Sequence, residues 1–171
     1  MKELPLSYHI VLTLHNSRTS RRMNQRHIRP GLVEFLTLED EIALTKMVGR
    51  ALKELDATCY AYNICRDHIH IIIQCPENEL SEVIRKIKGK TSYQFNQLKG
   101  KKGPFWSQKF YNANLDEWYL PTLSKRGFEQ KDTYFLKAIF YIKYNREKHD
   151  LPASQELEDI ISSFVSDNAI G

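Results

Sequence analysis

The sequence is poor in cysteine, has no long apolar run, and lacks acidic residues in its two most basic stretches. Cysteine occurs only at Cys59, Cys65 and Cys75, an odd number without a C-x-x-C spacing, which argues against a disulfide framework. Cys59 and Cys65 fall on one expected strand, on the same face and too far apart to bridge. The three are therefore expected to be reduced residues of a cytoplasmic protein. No signal-peptide pattern and no membrane-length apolar segment is seen, so no membrane role is expected. Repeats, low-complexity tracts and a convincing linker are also missing. A chain of 171 residues is then most simply one domain, 1–171, long enough to bury a core. Between Val83 and Lys102 there is no acid but seven basic residues, and between Arg18 and Arg29 no acid but five arginines, whereas Gln155 to Asp167 is acidic. The net charge of +4 says little, but this distribution suits a polyanion partner; two solvated basic surfaces would look the same.

The stretch Arg66-Asp67-His68-Ile69-His70-Ile71-Ile72-Ile73-Gln74 carries the first chemical signal. It is short, rich in β-branched residues and bounded by Arg-Asp and by Cys75-Pro76, which predicts a strand. Alternation puts His68 and His70 on one face and Ile69, Ile71 and Ile73 on the other. Two imidazoles so placed can converge on a divalent ion. Two half-buried histidines with ordinary hydrogen-bond partners would give the same pattern.

Around it the periodicity predicts a strand over Tyr8–Leu14, a polar loop or short exposed element over Asn16–Gly31, and a helix over Thr37–Leu55 capped by Thr37. A strand over Thr58–Cys65 then makes a hairpin with the histidine strand across Arg66-Asp67. A helix from Asn78 or Ser81 to about Leu98 and a strand over Phe105–Asn112 follow. Strand, helix, strand, strand, helix, strand is the α+β, ferredoxin-like split βαβ order: a four-stranded antiparallel sheet with two helices on one face. The histidines are then expected mid-sheet, on the face those helices leave open. Residues 113–131 fit no element and are expected to be an insertion or loop. Helices over Asp132–Glu147 and Ser154–Val165 complete the chain, with 152–171 a C-terminal helical extension.

The helix over Asp132–Glu147 places Tyr141 and Asn145 four residues apart on one face. If it lies across the open face of the sheet, Asn145 can offer a carbonyl oxygen beside the histidines and Tyr141 a hydroxyl. A phenol of pKa about 10 is a weak nucleophile alone, but not beside a metal-polarised phosphate. A core-edge tyrosine and a helix-terminal asparagine are the alternative.

His68-Ile69-His70, Lys88-Gly89-Lys90-Thr91-Ser92, Phe105-Trp106-Ser107-Gln108-Lys109-Phe110-Tyr111, Tyr141-Ile142-Lys143-Tyr144-Asn145 and Lys148-His149-Asp150-Leu151 occur in this order. Together they resemble the single-tyrosine transposases with a His-hydrophobe-His motif, over about Ser7 to Leu151. The closer similarity is to the relatives associated with repetitive extragenic palindromes, which have Tyr-Ile-x-x-Asn. The resemblance implies a metal-dependent enzyme that cleaves and rejoins single-stranded or hairpin DNA through a 5′-phosphotyrosine. It implies His68, His70 and Asn145 as ligands of Mg²⁺ or Mn²⁺, and Tyr141 as nucleophile. Tyr134 and Tyr144 are rivals, but Ala138 and Lys148, not Asn or Gln, stand four residues after them. Some members complete the site with a partner's tyrosine helix, so a homodimer is a further expectation. The chain departs from the pattern at Arg146, where the family usually has proline, and in the length of 113–131.

Arg21 and Arg22 from the first basic stretch, and Arg85, Lys86, Lys88 and Lys90 from the second, are expected to hold the phosphate backbone. Tyr93 and Trp106 could stack on unpaired bases or simply pack. Two other classes stay open: a metal-dependent phosphodiesterase that uses water, and a non-catalytic nucleic-acid-binding module of the same shape.

Overall fold

A computed structural model describes residues 5–18, 21–28, 31–116 and 129–166, with Arg22 and residues 129–133 described by backbone alone. Four strands, β1 (Leu6–Thr13), β2 (Thr58–Cys65), β3 (His68–Cys75) and β4 (Tyr111–Asn114), form one antiparallel sheet in the order β2-β3-β1-β4. The helices are α1 (Arg21–Gln25), α2 (Leu38–Glu54), α3 (Leu80–Lys99), α4 (Glu129–Lys143), α5 (Asn145–Lys148) and α6 (Gln155–Ser162). This is the expected split βαβ arrangement, with β3 and β1 central.

The two sheet faces follow from strand alternation. Tyr8, Ile10 and Leu12 of β1 and Ile69, Ile71 and Ile73 of β3 join Leu44, Val48 and Leu52 of α2 and Ile84, Ile87 and Phe95 of α3 in the main core. Each such aliphatic side chain removed from water is worth about 1.5–3 kcal/mol, so this face fixes the strand register. Helix α2 starts at a capping box: Thr37 Oγ1 accepts the Asp40 N–H, and the Asp40 carboxylate accepts the Thr37 N–H. Asp40 also pairs with Lys99 at 2.8 Å, tying the start of α2 to the end of α3. Helix α3 stops at Gly100, whose φ of 62° is the left-handed conformation that ends helices.

The other face carries His9, Val11 and Thr13 of β1, opposite Ile72, His70 and His68 of β3. Here Ile72 and Ala61 pack with Ile142 of α4 in a second, smaller cluster. Edge strand β2 is covered rather than left open: Val165 bridges Cys59, and the Ser166 N–H donates to the Cys59 carbonyl at 2.7 Å.

Several sequence expectations need correction. The fourth strand is Tyr111–Asn114 and not Phe105–Asn112; before it only Trp106 bridges Leu14. The carbonyls of Ser107 and Gln108 turn instead to the Lys88 ammonium, at 2.7 and 3.0 Å. A bulge in β2 between Cys59 and Ala61 shifts the alternation, so Cys59 faces the main core and Cys65 the histidine face. The two cysteines therefore do not share a face. The third expected helix is interrupted at Tyr144, with α4 ending at Lys143 and α5 beginning at Asn145. Of the expected insertion at 113–131, residues 117–128 lie outside the described residues. No helix of the described residues is long and apolar enough to cross a membrane.

Candidate active site

Each histidine of the pair is held by its Nδ1. His68 Nδ1 lies 2.6 Å from Asp67 Oδ1 and 3.3 Å from Arg18 Nη2. A guanidinium can only donate, so the closer carboxylate assigns a proton to Nδ1 and leaves Nε2 with its lone pair. Arg18 in turn pairs with Asp67, Nε to Oδ2 at 3.3 Å. Burial pushes the Asp67 carboxyl up, but the hydrogen bond from His68 and the charge of Arg18 more than reverse this, and its pKa falls below the usual value. His70 Nδ1 lies 3.0 Å from His9 Nε2. Burial first, then the neighbouring His68, His9, His149 and Arg18, push the His70 pKa down to about 3, so its imidazole is neutral at pH 7. A neutral imidazole oriented through Nδ1, as His70 is, has the form that divalent ions bind.

Tyr141, at 43% exposure, meets His70 edge-on with ring centroids 5.4 Å apart, and meets His9 at 6.2 Å. The Lys148 ammonium sits 4.8 Å from the Tyr141 ring centroid. The end of α4 is fixed by Asn63 of β2, whose Nδ2 donates to the carbonyls of Ile142 and Lys143 at 2.8 and 3.0 Å. That bond, with buried Ile142 beneath, sets Tyr141 over the histidines within a single chain. Tyr134 and Tyr144 are also exposed, Tyr144 stacking on Phe140 with centroids 6.4 Å apart.

Asn145 is placed differently from the expectation. It is 0% exposed, and its Oδ1 accepts the Cys65 thiol at 3.0 Å while its Nδ2 has no partner among the described residues. The break at Tyr144 and Cys65, flipped onto this face, explain the difference: Asn145 turns into the sheet while Tyr141 stays at the surface. Cys65 pairs with His68 in register. Cys65 Sγ and a ring nitrogen each of His68 and His149 lie within 4.8 Å of one another. The His68 and His70 rings stand with centroids 4.9 Å apart, and the Asn145 oxygen is engaged by Cys65.

The expected DNA-contacting residues of α3, and Trp106, do not gather here. Helix α3 lies against the opposite face of the sheet. Its Arg85 and Lys86 pair with Glu82, Lys90 pairs with Glu54, and Lys88 is held by two carbonyls. Tyr93 is exposed on that far layer. Trp106, at 5% exposure, is a core residue whose Nε1–H donates to Thr91 Oγ1 at 2.9 Å, so its face is not available for base stacking. Arg21 is exposed in α1, and the Arg22 side chain lies outside the described residues.

His9, Arg18, Cys65, Asp67, Lys148 and His149 were not read as site residues from the sequence. Asp67 directly precedes the pair, and His9 shares the face of Val11 and Thr13, so antiparallel pairing of β1 with β3 would have found it. His149 lies in the Lys148-His149-Asp150-Leu151 stretch that carries the resemblance, but nothing local assigns its ring a role.

The fold and the oriented histidine pair define a ferredoxin-like α+β domain with a site on the sheet face opposite its two crossover helices. The chain belongs to the family described as IS200-like transposases, whose profile matches residues 4–125. That match includes both histidines and stops before Tyr141. No curated protein matches the chain. Among solved structures it is similar to a REP-associated tyrosine transposase bound to a REP hairpin. The two are 17% identical over 97% of this chain and 86% of the other, with a TM-score of 0.52. It is also similar to a candidate transposase from Deinococcus radiodurans R1, 13% identical over 71% of this chain and 87% of the other, with a TM-score of 0.50.

Proposed function

We propose that this transposase-family chain cleaves and rejoins single-stranded or hairpin DNA through a covalent 5′-phosphotyrosine on Tyr141, with His68 and His70 holding Mg²⁺ or Mn²⁺. The observation that carries the reading is the contact of Tyr141 with His70 inside one chain, 5.4 Å between ring centroids. A bound divalent ion would supply Lewis-acid polarisation of the scissile phosphate. Everything else falls to the protein. Lys148 against the Tyr141 ring places a positive charge beside the incoming phosphate, and the phenol proton passes to solvent as the new bond forms. The phenolate oxygen bonds to phosphorus, the P–O3′ bond breaks, and the departing oxygen takes a proton to become a 3′-OH. A 3′-OH attacking the phosphotyrosine reverses the step, so the ester bond is conserved and no nucleotide cofactor is required. Asn145 is the third ligand in this reading, after its oxygen leaves the Cys65 thiol. One similar structure is described as bound to a REP hairpin, which supports DNA of that form as substrate. The Tyr141–His70 contact needs no second copy, so a homodimer is not required for the chemistry. The cytoplasm, where DNA is accessible, is the expected compartment.

The test is adduct formation on single-stranded DNA labelled 3′ of the cut, with Mn²⁺, read by a gel shift that survives denaturant. Tyr141→Phe keeps the ring and should give no adduct, whereas Tyr144→Phe should still form it. Cleavage without an adduct in the unsubstituted protein would indicate attack by water. Binding without turnover would indicate a non-catalytic module.

A further inference from the structure

We propose that Cys65, His68 and His149 form a site for a thiophilic cation, Zn²⁺, which shares His68 with the His68–His70 pair and so competes with Mg²⁺ or Mn²⁺. The competition rests on the function proposed above; the binding does not.

The three ligand atoms lie within 4.8 Å of one another. Around zinc, with bonds of about 2.3 Å to sulfur and about 2.0 Å to nitrogen, tetrahedral ligands stand roughly 3.5 Å apart. Closure therefore needs about an ångström of movement, which exposed His149 can supply. The donor set selects the metal: one sulfur and two imidazoles suit zinc, while Mg²⁺ requires mostly oxygen. Binding requires the thiolate, so the Cys65 proton passes to solvent as the zinc–sulfur bond forms.

Asn145 is built for both states of that sulfur. With Cys65 a thiol, Oδ1 accepts the S–H and buried Nδ2 has no partner among the described residues. With Cys65 a thiolate, the amide turned over places Nδ2–H on the sulfur and satisfies the orphaned donor. The sharing follows from His68. Asp67 holds its Nδ1, leaving one ring nitrogen, and its ring lies between those of His70 and His149, at 4.9 and 5.3 Å. That nitrogen serves one ion at a time.

The experiment titrates metal-free protein with Co²⁺, then Zn²⁺, without DNA. A thiolate-to-cobalt charge-transfer band, saturating at one ion per chain and displaced by Zn²⁺, is expected. Cys65→Ser should abolish the band. His149→Ala, at an exposed position, should weaken Zn²⁺ binding by about tenfold or more in calorimetry. Absence of the band, its survival in Cys65→Ser, or unchanged zinc affinity in His149→Ala overturns the site. Cys59 on the other sheet face and Cys75 at the far end of β3 cannot substitute. In the adduct assay with Mn²⁺, zinc should suppress the product; an unaffected yield overturns the sharing. A protein that forms no adduct under any metal yet shows the band would refute the proposed function alone.

Discussion

His9 Nε2 stands 3.0 Å from Nδ1 of His70, a contact made between adjacent central strands across 61 residues of sequence. One ring donates and the other accepts. Both imidazole pKa values are lowered, in each case first by burial, so the pair is neutral at pH 7. Asp67 holds the ring of His68 through Nδ1 with a carboxylate at 2.6 Å. Each of the two rings is thus fixed through Nδ1, with Nε2 free for a ligand role.

Removal of the His9 ring should therefore act through His70. His9→Ala is expected to raise the Mn²⁺ concentration for half-maximal adduct formation by about 10- to 100-fold, the usual cost of losing a partner that orients a ligand. Saturating Mn²⁺ should recover most of the yield. An unchanged metal requirement would show that His9 only packs.

The sheet was legible because local pattern and global fold agree. Isoleucines at alternate positions of β3 declare a buried face, and the Arg66-Asp67 turn declares the hairpin. What was not legible depends on single-residue irregularities or distant partners. The bulge after Cys59 has no sequence marker, yet it decides which cysteine meets Asn145. The break at Tyr144 separates two residues that an unbroken helix would align. Trp106 among lysines looks like a base-stacking residue until Thr91 is seen to accept its N–H. His9 is found only through the β1–β3 register.

Two helical glycines should respond oppositely to alanine. A Cβ on Gly49 in α2 would come within 2.6 Å of the Phe164 ring, which seats the C-terminal segment against Tyr62. A Cβ on Gly89 in α3 would meet nothing within 4 Å. Gly89→Ala should gain about 0.5–1 kcal/mol from helix propensity alone. In Gly49→Ala that gain is outweighed by overpacking, typically about 1–3 kcal/mol. Urea unfolding of both variants checks the signs; a stabilised Gly49→Ala would mean that Phe164 moves aside freely.

Arg146, where the family usually has proline, is a structural clamp. Its Nη1 donates to buried Glu41 at 2.6 Å and to the Ile64 carbonyl at 2.9 Å, and its Nη2 to the Pro152 carbonyl at 2.9 Å. Burial raises the Glu41 pKa even though Arg146 opposes it. For a raised carboxyl the folded state holds its proton more tightly than the unfolded one. Stability from this group is then full below the unfolded pKa and falls as pH rises through the folded one. Removing the arginine should raise the Glu41 pKa further and steepen that loss. Arg146→Met is expected to cost about 3–5 kcal/mol near pH 8, where the buried Glu41 loses its hydrogen-bonded cation, and clearly less near pH 5. Equal losses at the two pH values would show that the carbonyl contacts, not the ion pair, carry the effect.

Under the proposed function, the face that would meet DNA follows from where the histidines point. Helix α3 carries Arg85, Lys86, Lys88 and Lys90, but that helix covers the opposite face of the sheet, and these cations already have partners. On the histidine face, Arg18 keeps 57% of its side chain exposed beside His68, and Lys148 lies over Tyr141. A scissile phosphate that reaches Tyr141 would bring the neighbouring phosphates to these two cations. Removing one cation that neutralises a phosphate should flatten the dependence of log affinity on log salt by about 0.7 for a single strand. Arg18→Gln with Lys148→Gln should therefore lower the slope by about 1.4 and weaken many sequences alike. Replacing Arg85, Lys86 and Lys90 together with Gln should leave the slope unchanged. The reverse pattern in a binding titration over salt would mean that the strand wraps around the sheet edge onto α3, and that the cations beside Tyr141 act in chemistry and not in binding.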